Sequence, residues 1–423
     1  MRYFGTDGIR GTGEYIISIA YRLGLSLGLL GVDNLLIASD TRISKDLIKE
    51  NLIKGAKEAG LNIYDLDILP TPALLYLSGV YKSLGIMITA SHNPYTDNGI
   101  KVLKYGNKIN KDEELKLEEV IDGGDYQIIH PNSSISPNLD SYMHKYEMIK
   151  DNHKLNILFD FANGATYLLG QKIFDGYKFI SNTPNGININ NGCGSTHLEN
   201  LKNHINDYDL GFAFDGDGDR VLAVLKDGFI LDGDLLIYII ASYLKDNNKL
   251  ENNGCVLTTM SNLAIIEALN KKDIRVFVAD VGDKNVLDLM NKEGLILGGE
   301  NSGHIINLSL LNTGDGMLNA KYIIDILEKH PEYLEEVRNI KLYPEKLTNI
   351  KIKDKSVIKN ESFIKKLENY KKELGTINKI IVRASGTEDL IRISVSAKKL
   401  ELVDEYTNKI IEDIKELILW DTQ

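Results

Sequence analysis

The stretch GIMITASHNP, residues 85–94, predicts a buried strand that runs into a polar loop. Its first part is apolar, as in a strand buried on both faces of a sheet. A hydroxyl, an imidazole and an amide follow, and Pro94 ends the regular structure. A serine held at the end of a rigid strand suits a nucleophile or a phosphate carrier, and we expect Ser91 to face solvent. A plain turn, in which Ser91 and Asn93 bond to their own backbone, fits this stretch equally well.

Length and composition describe a globular protein of several domains. The chain has 423 residues, of which 43% are hydrophobic and 26% charged, and this length predicts about three domains. The net charge of -11 disfavours a nucleic-acid or anionic-membrane partner. Cys193 and Cys255 are too far apart for a metal motif and fit a reducing compartment. No signal segment opens the chain, and the longest apolar run, residues 235–244, predicts a buried helix, so we expect a cytoplasmic protein.

A unit of strand, polar turn and helix occurs three times along the chain. The strands are predicted at residues 35–38, 156–160 and 255–259. Three separated copies argue for three related α/β domains, and the strands and helix after residue 344 suggest a smaller α+β domain. Ligands of such sheets collect at the carboxyl ends of strands, so the polar turns are the expected sites.

The predicted boundaries fall in polar or proline-containing segments. Residues 131–137 form a candidate linker, and the polar run at 246–253 and the region of residues 330–344 form two more. We therefore predict four domains, at residues 1–138, 139–246, 247–340 and 341–423.

Three aspartates alternate with glycines directly after an apolar strand: Asp215, Asp217 and Asp219. Such a set repels itself unless a cation lies among the carboxylates, and oxygen ligands suit Mg²⁺ or Ca²⁺. An EF-hand is excluded, because Arg220 and Lys226 stand where it needs glycine and glutamate. A Mg²⁺ site with an open side is favoured over a solvated acidic turn.

Three further loops carry polar groups. Residues 4–11 predict a glycine-rich loop that exposes backbone N–H groups around Arg10. The loop at residues 298–304 suits a polyol or an amino sugar, although an Asx-type turn with one histidine satisfied in the core is an equal alternative. The loop at residues 383–389, with Arg392 beyond it, is a credible phosphate cradle. The chain has no Walker A loop and no dinucleotide fingerprint.

Together these motifs resemble the α-D-phosphohexomutase family: TASHNP, DGDGDR, GGENSGH and RASGTE, in that order. The N-terminal FGTDGIRG is most similar to the bacterial branch that acts on an amino-sugar phosphate. The resemblance spans the whole chain. It implies an α/β protein with three similar mixed-sheet domains and a smaller C-terminal α+β domain around a central cleft.

The resemblance also implies roles for individual residues. Ser91 would carry the transferred phosphoryl group, and its phosphate would complete a Mg²⁺ site on the three aspartates, beside Arg220. Around the serine it places Arg10, His92 and Lys101. The sugar-binding loop would contain Glu300, Asn301, Ser302 and His304. The non-transferring phosphate would be held by Arg383, Ser385, Gly386 and Thr387, with Arg392 close by.

The implied reaction moves a phosphoryl group between two positions of a hexosamine monophosphate. Phosphorylated Ser91 donates to a free hydroxyl, which gives glucosamine 1,6-bisphosphate, and the other phosphate then returns to Ser91. A kinase or a bisphosphate primer would first phosphorylate Ser91. Lys101 and His304 are the candidates that take the hydroxyl proton, and Lys101 would need a lowered pKa, which Arg10, Arg220 and the metal could supply. The oligomeric state is left open, a homodimer being one option.

Other interpretations stay open at this point. A Mg²⁺-dependent phosphatase would use Asp215 as its nucleophile and release free phosphate. A non-catalytic sugar-phosphate binder would exchange no label between the two phosphates. Within the family, glucose and mannose phosphates are alternative substrates, because this chain departs from the usual pattern in four places: Lys284, Asn301, Ala384 and Asp389.

Overall fold

The described residues form four β-sheets with helices between their strands. A computed structural model describes residues 2–5, 7–352, 354–375, 379–384 and 389–420. These residues fall into two compact units. The first unit is Met1–Met260 with Ile274–Glu335, and the second is Ser261–Asp273 with Glu336–Gln423. The predicted α/β class with mixed sheets is confirmed.

The first unit begins with a seven-stranded mixed sheet. Its strands are β1 (Phe4–Gly5), β2 (Gly8–Thr12), β3 (Asn34–Ser39), β4 (Asn62–Ile68), β5 (Leu84–Ile88), β6 (Asp97–Lys104) and β7 (Asn107–Lys108). The helices are α1 (Gly13–Ser26), α2 (Lys45–Glu58), α3 (Thr71–Val80), α4 (Lys111–Ile121) and, after the irregular linker, α5 (Asp140–Glu147). The strand order is β1-β2-β6-β5-β3-β4, with β7 on β6. Strand β5 is parallel to β3 and antiparallel to β6, so the predicted strand lies inside the sheet.

The N-terminal glycine-rich segment is a hairpin, and the prediction of a loop at residues 4–11 was wrong. Strands β1 and β2 pair in antiparallel fashion, with Phe4 opposite Ile9. Gly8, the first residue of β2, has a φ of 78°, and a Cβ there would lie 2.4 Å from the carbonyl oxygen of Ile100. The buried side chains of Phe4 and Ile9 join the core of the sheet, which stabilises the hairpin.

The second sheet has five strands around a core of stacked phenylalanines. The strands are β8 (Ile157–Asp160), β9 (Lys178–Ile180), β10 (Leu210–Phe214), β11 (Val221–Leu225) and β12 (Ile230–Leu231), in the order β12-β11-β10-β8-β9. The helices are α6 (Tyr167–Ile173), α7 (Glu199–His204) and α8 (Gly233–Asp246), the last being the predicted buried helix. Strands β10 and β11 form an antiparallel pair, and the aspartate loop, residues 215–220, connects them.

The third sheet completes the first unit. Its strands are β13 (Gly254–Thr258), β14 (Arg275–Ala279), β15 (Leu297–Gly299) and β16 (Ile305–Asn307), in the order β14-β13-β15-β16. Helix α9 (Leu263–Lys271) follows β13, and α10 (Asp283–Glu293), α11 (Gly316–Lys329) and α12 (Glu332–Asn339) come later. The three repeated strands are confirmed as β3, β8 and β13. Helix α9 is the exception to the repeat, because it belongs to the second unit.

The second unit carries a three-stranded antiparallel sheet. Its strands are β17 (Glu345–Lys351), β18 (Lys379–Ala384) and β19 (Leu390–Ser396), in the order β17-β19-β18, with α13 (Glu361–Leu374) and α14 (Leu400–Trp420). Short 3₁₀ helices occur in both units, at Leu27–Leu30, Ile205–Asp207, Glu251–Asn253 and Lys355–Lys359. Each predicted domain range contains one sheet, while the exact boundaries stay a prediction. Within the described ranges, no helix is long and apolar enough to cross a membrane.

Candidate active site

The serine loop, residues 89–94, is a strained turn at the end of β5. Ser91 has a φ of 51°, in the left-handed region that side chains disfavour. Its backbone N–H donates to the hydroxyl of Thr89 at 2.9 Å, and the N–H of Asn93 donates to the carbonyl of Ala90 at 3.1 Å. These backbone bonds close a turn that presents Ser91 to another loop. The plain alternative was wrong, because the side chain of Ser91 bonds to Asp215 and that of Asn93 donates to Oδ2 of Asp97 at 3.0 Å, and neither bonds to its own backbone.

Ser91 faces the aspartate loop and not solvent, so the expectation of an exposed serine was wrong. The residue is 2% exposed. Its Oγ donates to Oδ2 of Asp215 at 2.7 Å and lies 3.2 Å from Nδ1 of His92. The carboxyl end of β5 meets the β10–β11 connection, and this packing buries the hydroxyl.

A fully buried arginine holds the serine loop from behind. Arg42 donates through Nη2 to the carbonyls of Ser91 at 3.0 Å and Asn93 at 2.8 Å. Its Nη1 donates to the carbonyls of Pro94 and Asp97. The remaining N–H, on Nε, bonds to Asp40 at 2.9 Å. Arg42 lies in the polar turn after the strand predicted at residues 35–38, where we expected a ligand site. Its role could not be predicted, because its partners in the serine loop are about 50 residues away in the sequence.

The aspartate loop approaches the serine loop closely because Gly216 has no side chain. A Cβ on Gly216 would lie 2.4 Å from the carbonyl oxygen of Ser91. Asn190, in the segment between β9 and α7, also donates to that carbonyl, at 2.9 Å. The N–H groups of Gly218 and Arg220 donate to Oδ1 of Asp215 at 3.1 and 3.2 Å. The glycines therefore allow the loop to fold back on its own carboxylates.

The three aspartates fit a divalent cation. Each offers a carboxylate oxygen within 4.8 Å of the others, and all three residues are buried. Oδ1 of Asp217 and Oδ1 of Asp219 have no hydrogen-bond partner among the described residues, which is unusual for buried carboxylates. Burial, followed by the charges of Asp219 and Asp217, raises the pKa of Asp215 well above its usual value. Hard oxygen donors in this spacing are the ligands that Mg²⁺ prefers.

Lys101 lies in the site, but its surroundings differ from those expected. Its Nζ contacts Asp217 at 2.8 Å, Asp7 at 3.2 Å and Asp219 at 3.3 Å. Burial acts to lower the pKa of Lys101, yet these carboxylates outweigh it and raise the pKa well above its ordinary value. The expected lowering by Arg10 and Arg220 does not occur, because anions and not cations dominate around the ammonium. The lowering expected from a metal stays a prediction. Burial likewise acts to raise the pKa of Asp217, but Lys101 and Thr71 hold it well below its usual range.

A second charged cluster, which the sequence did not predict, extends from Lys101. Lys108 donates to Oδ1 of Asp7 and to Oδ2 of Asp283, at 2.6 Å each. Arg10 donates to the other oxygen of Asp7 at 2.6 Å. Asp7, Lys108 and Asp283 line a cavity of about 460 Å³, together with Lys111, Glu114 and Lys284. No local motif signals this cluster, since Lys108 and Asp283 are 175 residues apart.

His92 and Arg220 complete the surroundings of the serine. Desolvation, together with the charges of Arg220 and Arg10, lowers the pKa of His92 to about 4, although part of the residue reaches solvent. The imidazole is therefore neutral near pH 7. Nε of Arg220 lies 3.9 Å from Asp219. The guanidinium is thus beside the aspartates, as expected from the resemblance.

The predicted sugar-binding loop, residues 300–304, connects β15 with β16. Oε1 of Glu300 accepts from the N–H of Gly282 at 2.9 Å, which ties the loop to the start of α10. The carbonyl of Asn301 accepts from Gly233. Within the described part of the chain, Oγ of Ser302 and Nδ1 of His304 are buried and have no hydrogen-bond partner. Two such atoms in one loop point to a ligand that would satisfy them.

The predicted phosphate cradle is only partly described. Arg383 in β18 lies directly opposite Arg392 in β19. Like charges opposite each other destabilise a strand pair unless an anion neutralises them. Ser385, Gly386 and Thr387 lie outside the described residues.

The fold and the site define a class: a multidomain α/β enzyme with a buried serine on a carboxylate triad, arranged for phosphoryl transfer. Sequence models of one family match three stretches of the chain. These are "Phosphoglucomutase/phosphomannomutase, alpha/beta/alpha domain I" at residues 1–127, the corresponding domain III at 232–343 and the C-terminal domain at 347–413. The chain belongs to this family of phosphohexomutases, which are isomerases.

Two relatives that are both named phosphoglucosamine mutase match almost the whole chain. A phosphoglucosamine mutase of Shouchella clausii is 37% identical over 442 residues, which cover 98% of this chain and 99% of the relative. A phosphoglucosamine mutase of Thermosipho africanus is 36% identical over 428 residues, with 98% of each chain covered.

Solved structures share the fold. A phosphoglucomutase/phosphomannomutase family protein of Burkholderia thailandensis has a TM-score of 0.79 at 22% identity, with 97% of each chain covered. Aspergillus fumigatus N-acetylphosphoglucosamine mutase, solved with GlcNAc-6P and magnesium, has a TM-score of 0.70 at 16% identity. That alignment covers 98% of this chain and 96% of the fungal one.

Proposed function

We propose that this chain is a phosphoglucosamine mutase. It interconverts glucosamine 6-phosphate and glucosamine 1-phosphate through phosphorylated Ser91 and glucosamine 1,6-bisphosphate, and so supplies cell-wall precursor synthesis in the cytoplasm. The observation that carries this proposal is the 2.7 Å contact between Ser91 Oγ and Asp215 inside a buried carboxylate triad. The choice of amino sugar rests on the relatives that bear this name over the full chain.

The metal site is part of the proposal. Asp215, Asp217 and Asp219, with an oxygen of phosphorylated Ser91, would hold one Mg²⁺, which supplies positive charge to the transferring phosphoryl group when bound. Arg220 adds a guanidinium beside the same carboxylates. Arg42 fixes the serine loop, so that the phosphate on Ser91 starts in a defined position.

Proton transfer needs a base for the attacking hydroxyl and an acid for the oxygen of Ser91. Lys101 is held as a cation by Asp7, Asp217 and Asp219, which suits an acid or a fixed positive charge. Nδ1 of His304 has no partner among the described residues and can accept a proton. We assign the hydroxyl proton to His304 and the stabilisation of the serine side to Lys101, assisted by Arg10 and the neutral His92.

Substrate recognition would come from two loops. The sugar loop offers Glu300, Asn301 and Ser302 to the hydroxyl and amino groups of the hexosamine. The opposed pair of Arg383 and Arg392 suits the non-transferring phosphate, which Ser385, Gly386 and Thr387 would also contact. The last three assignments rest on the family resemblance alone.

The proposal is tested by assaying glucosamine, glucose and mannose 6-phosphates side by side with a bisphosphate primer. We expect the highest kcat/KM for glucosamine 6-phosphate, and no turnover by Ser91→Ala. Higher kcat/KM for a neutral sugar would redirect the substrate assignment to glucose or mannose. Release of free phosphate by Ser91→Ala would favour the phosphatase alternative with Asp215 as nucleophile.

A further inference from the structure

A buried cluster of two tyrosines and one carboxylate lies behind the candidate active site. Tyr142 and Tyr146, one turn apart in α5, both donate to Asp315, with shortest distances of 2.6 and 3.0 Å. The two hydroxyls are themselves 2.7 Å apart. The exposed fractions are 0% for Tyr142 and 1% each for Tyr146 and Asp315. Hydrogen bonds to a buried carboxylate are stronger than neutral ones, so this cluster fixes α5 firmly to Asp315.

Asp315 connects this cluster to the aspartate loop through helix α11. Its side chain caps the helix by accepting from the N–H of Leu318 at 3.0 Å. The next residue, Gly316, donates its N–H to the carbonyl of Gly218 at 3.0 Å. A Cβ on Gly316 would lie 2.4 Å from the carbonyl oxygen of Arg220. The start of α11 therefore contacts the aspartate loop on both sides of Asp219.

Helix α5 also contacts the second support of the loop, which is helix α3. The ring centroid of Tyr142 lies 5.8 Å from that of Tyr76 in α3. Helix α3 begins at Thr71, whose Oγ1 donates to Oδ2 of Asp217 at 2.6 Å. The N–H of Thr71 donates to the carbonyl of Asp217 at 2.9 Å. One short helix thus contacts both helices that hold the loop.

We propose that Tyr142, Tyr146 and Asp315 are positioning residues that keep the aspartates in the spacing required for Mg²⁺. They act through α11 and α3 on Asp217 and Asp219. The carboxylates repel each other, so a loop without this support would relax outward and bind a cation more weakly. The inference rests on the Mg²⁺ site of the proposed function.

The test is a calorimetric titration of the purified protein with MgCl₂, with Tm measured with and without the metal. The variant Tyr142→Phe/Tyr146→Phe keeps both rings and removes both hydroxyls. We expect the variant to bind Mg²⁺ about tenfold more weakly, which is the smaller effect seen when a residue that hydrogen-bonds to a metal ligand is mutated. We also expect a smaller rise in Tm on addition of Mg²⁺. Tyr146→Phe alone should change both readouts in the same direction. If the double variant does not fold, the Mg²⁺ affinity of Tyr146→Phe is compared with that of the wild-type protein instead.

The matched control is Tyr177→Phe. It removes a hydroxyl that donates to Asp151 at 2.7 Å, and it should lower Tm without changing the affinity for Mg²⁺. Wild-type affinity in the double variant, whatever its Tm, would overturn the positioning role and leave only a structural one. Absence of Mg²⁺ binding by the wild-type protein would instead overturn the metal site, and this inference with it.

Discussion

At the scale of single residues, Ser91 depends on Arg42. A positive φ on a residue other than glycine costs about 1–2 kcal/mol, and Ser91 has a φ of 51°. The guanidinium of Arg42 offsets this cost with hydrogen bonds to the carbonyls of Ser91, Asn93 and Asp97. The planar fork is essential, because an ammonium cannot reach these carbonyls and Asp40 at the same time.

Arg42→Lys should therefore lower kcat much more than it raises KM. We expect a loss of about 100-fold in kcat, the effect of a 1 Å misplacement, and a loss of about 2–3 kcal/mol in the free energy of unfolding. Steady-state kinetics and denaturant unfolding measure the two effects. Lys45→Met, which removes a surface pair with Asp46, is the control and should change neither. Retention of wild-type kcat by Arg42→Lys would contradict the role given to Arg42.

Asp215 should be required for activity and yet destabilise the metal-free protein. Burial and then Asp219 and Asp217 raise its pKa, so its ionised form destabilises the metal-free fold. The stability that this group contributes is present below its unfolded pKa of about 3.9 and is lost as the pH rises through its folded pKa. Asp215→Asn should abolish activity and raise the Tm of the metal-free protein at pH 7, because the amide brings no charge into the buried site. A lower Tm of the metal-free variant would show that the sign is wrong.

At the scale of elements, strands formed by apolar runs could be predicted from the sequence, and contacts between residues distant in the sequence could not. Strands β5, β10 and β13 follow from short apolar stretches, and the aspartate loop follows from its glycines and carboxylates. The hairpin of β1 and β2 was missed because glycine is typical of loops, although buried Phe4 and Ile9 hold this one in the sheet. The cluster of Asp7, Lys108 and Asp283 could not be predicted, because residues that distant in sequence meet only through the fold.

Gly216→Ala tests the contact between the serine loop and the aspartate loop. The added methyl group would lie 2.4 Å from the carbonyl oxygen of Ser91, so the two loops must separate. We expect a loss of about 1–3 kcal/mol in stability and a large fall in kcat. Gly228→Ala is the control. A Cβ there meets nothing within 4 Å, and because Gly228 has a φ of 84°, alanine should cost about 1–2 kcal/mol in stability while kcat stays unchanged. Equal activity of the two variants would show that this approach is unimportant.

At the scale of the whole molecule, the chain passes more than once between its two units. Helix α9 follows a strand of the third sheet, yet it belongs to the second unit. Asn262 donates to the carbonyl of Tyr343 at 3.0 Å, and the hydroxyl of Tyr343 donates to Glu267 at 2.7 Å. Three repeated units were predictable from the sequence. The assignment of α9 to the second unit was not predictable, because the residues that it contacts lie in the C-terminal part of the chain.

Removal of residues 336–423 should therefore free α9 while leaving the first sheet folded. We expect hydrogen exchange in residues 263–271 to approach the rate of an unstructured peptide, since the partners of Asn262 and Glu267 are removed. Strand β3 provides the internal control and should stay protected. Full protection of α9 in the shortened chain would contradict its assignment to the second unit.

The central claim is that Ser91 stores a phosphoryl group and returns it to a sugar phosphate. The most direct test is a single turnover of protein labelled with ³²P on Ser91, mixed with unlabelled glucosamine 6-phosphate. We predict that the label leaves the protein and appears in glucosamine 1,6-bisphosphate and the monophosphates. Label released as inorganic phosphate, or retained on the protein, would contradict the account.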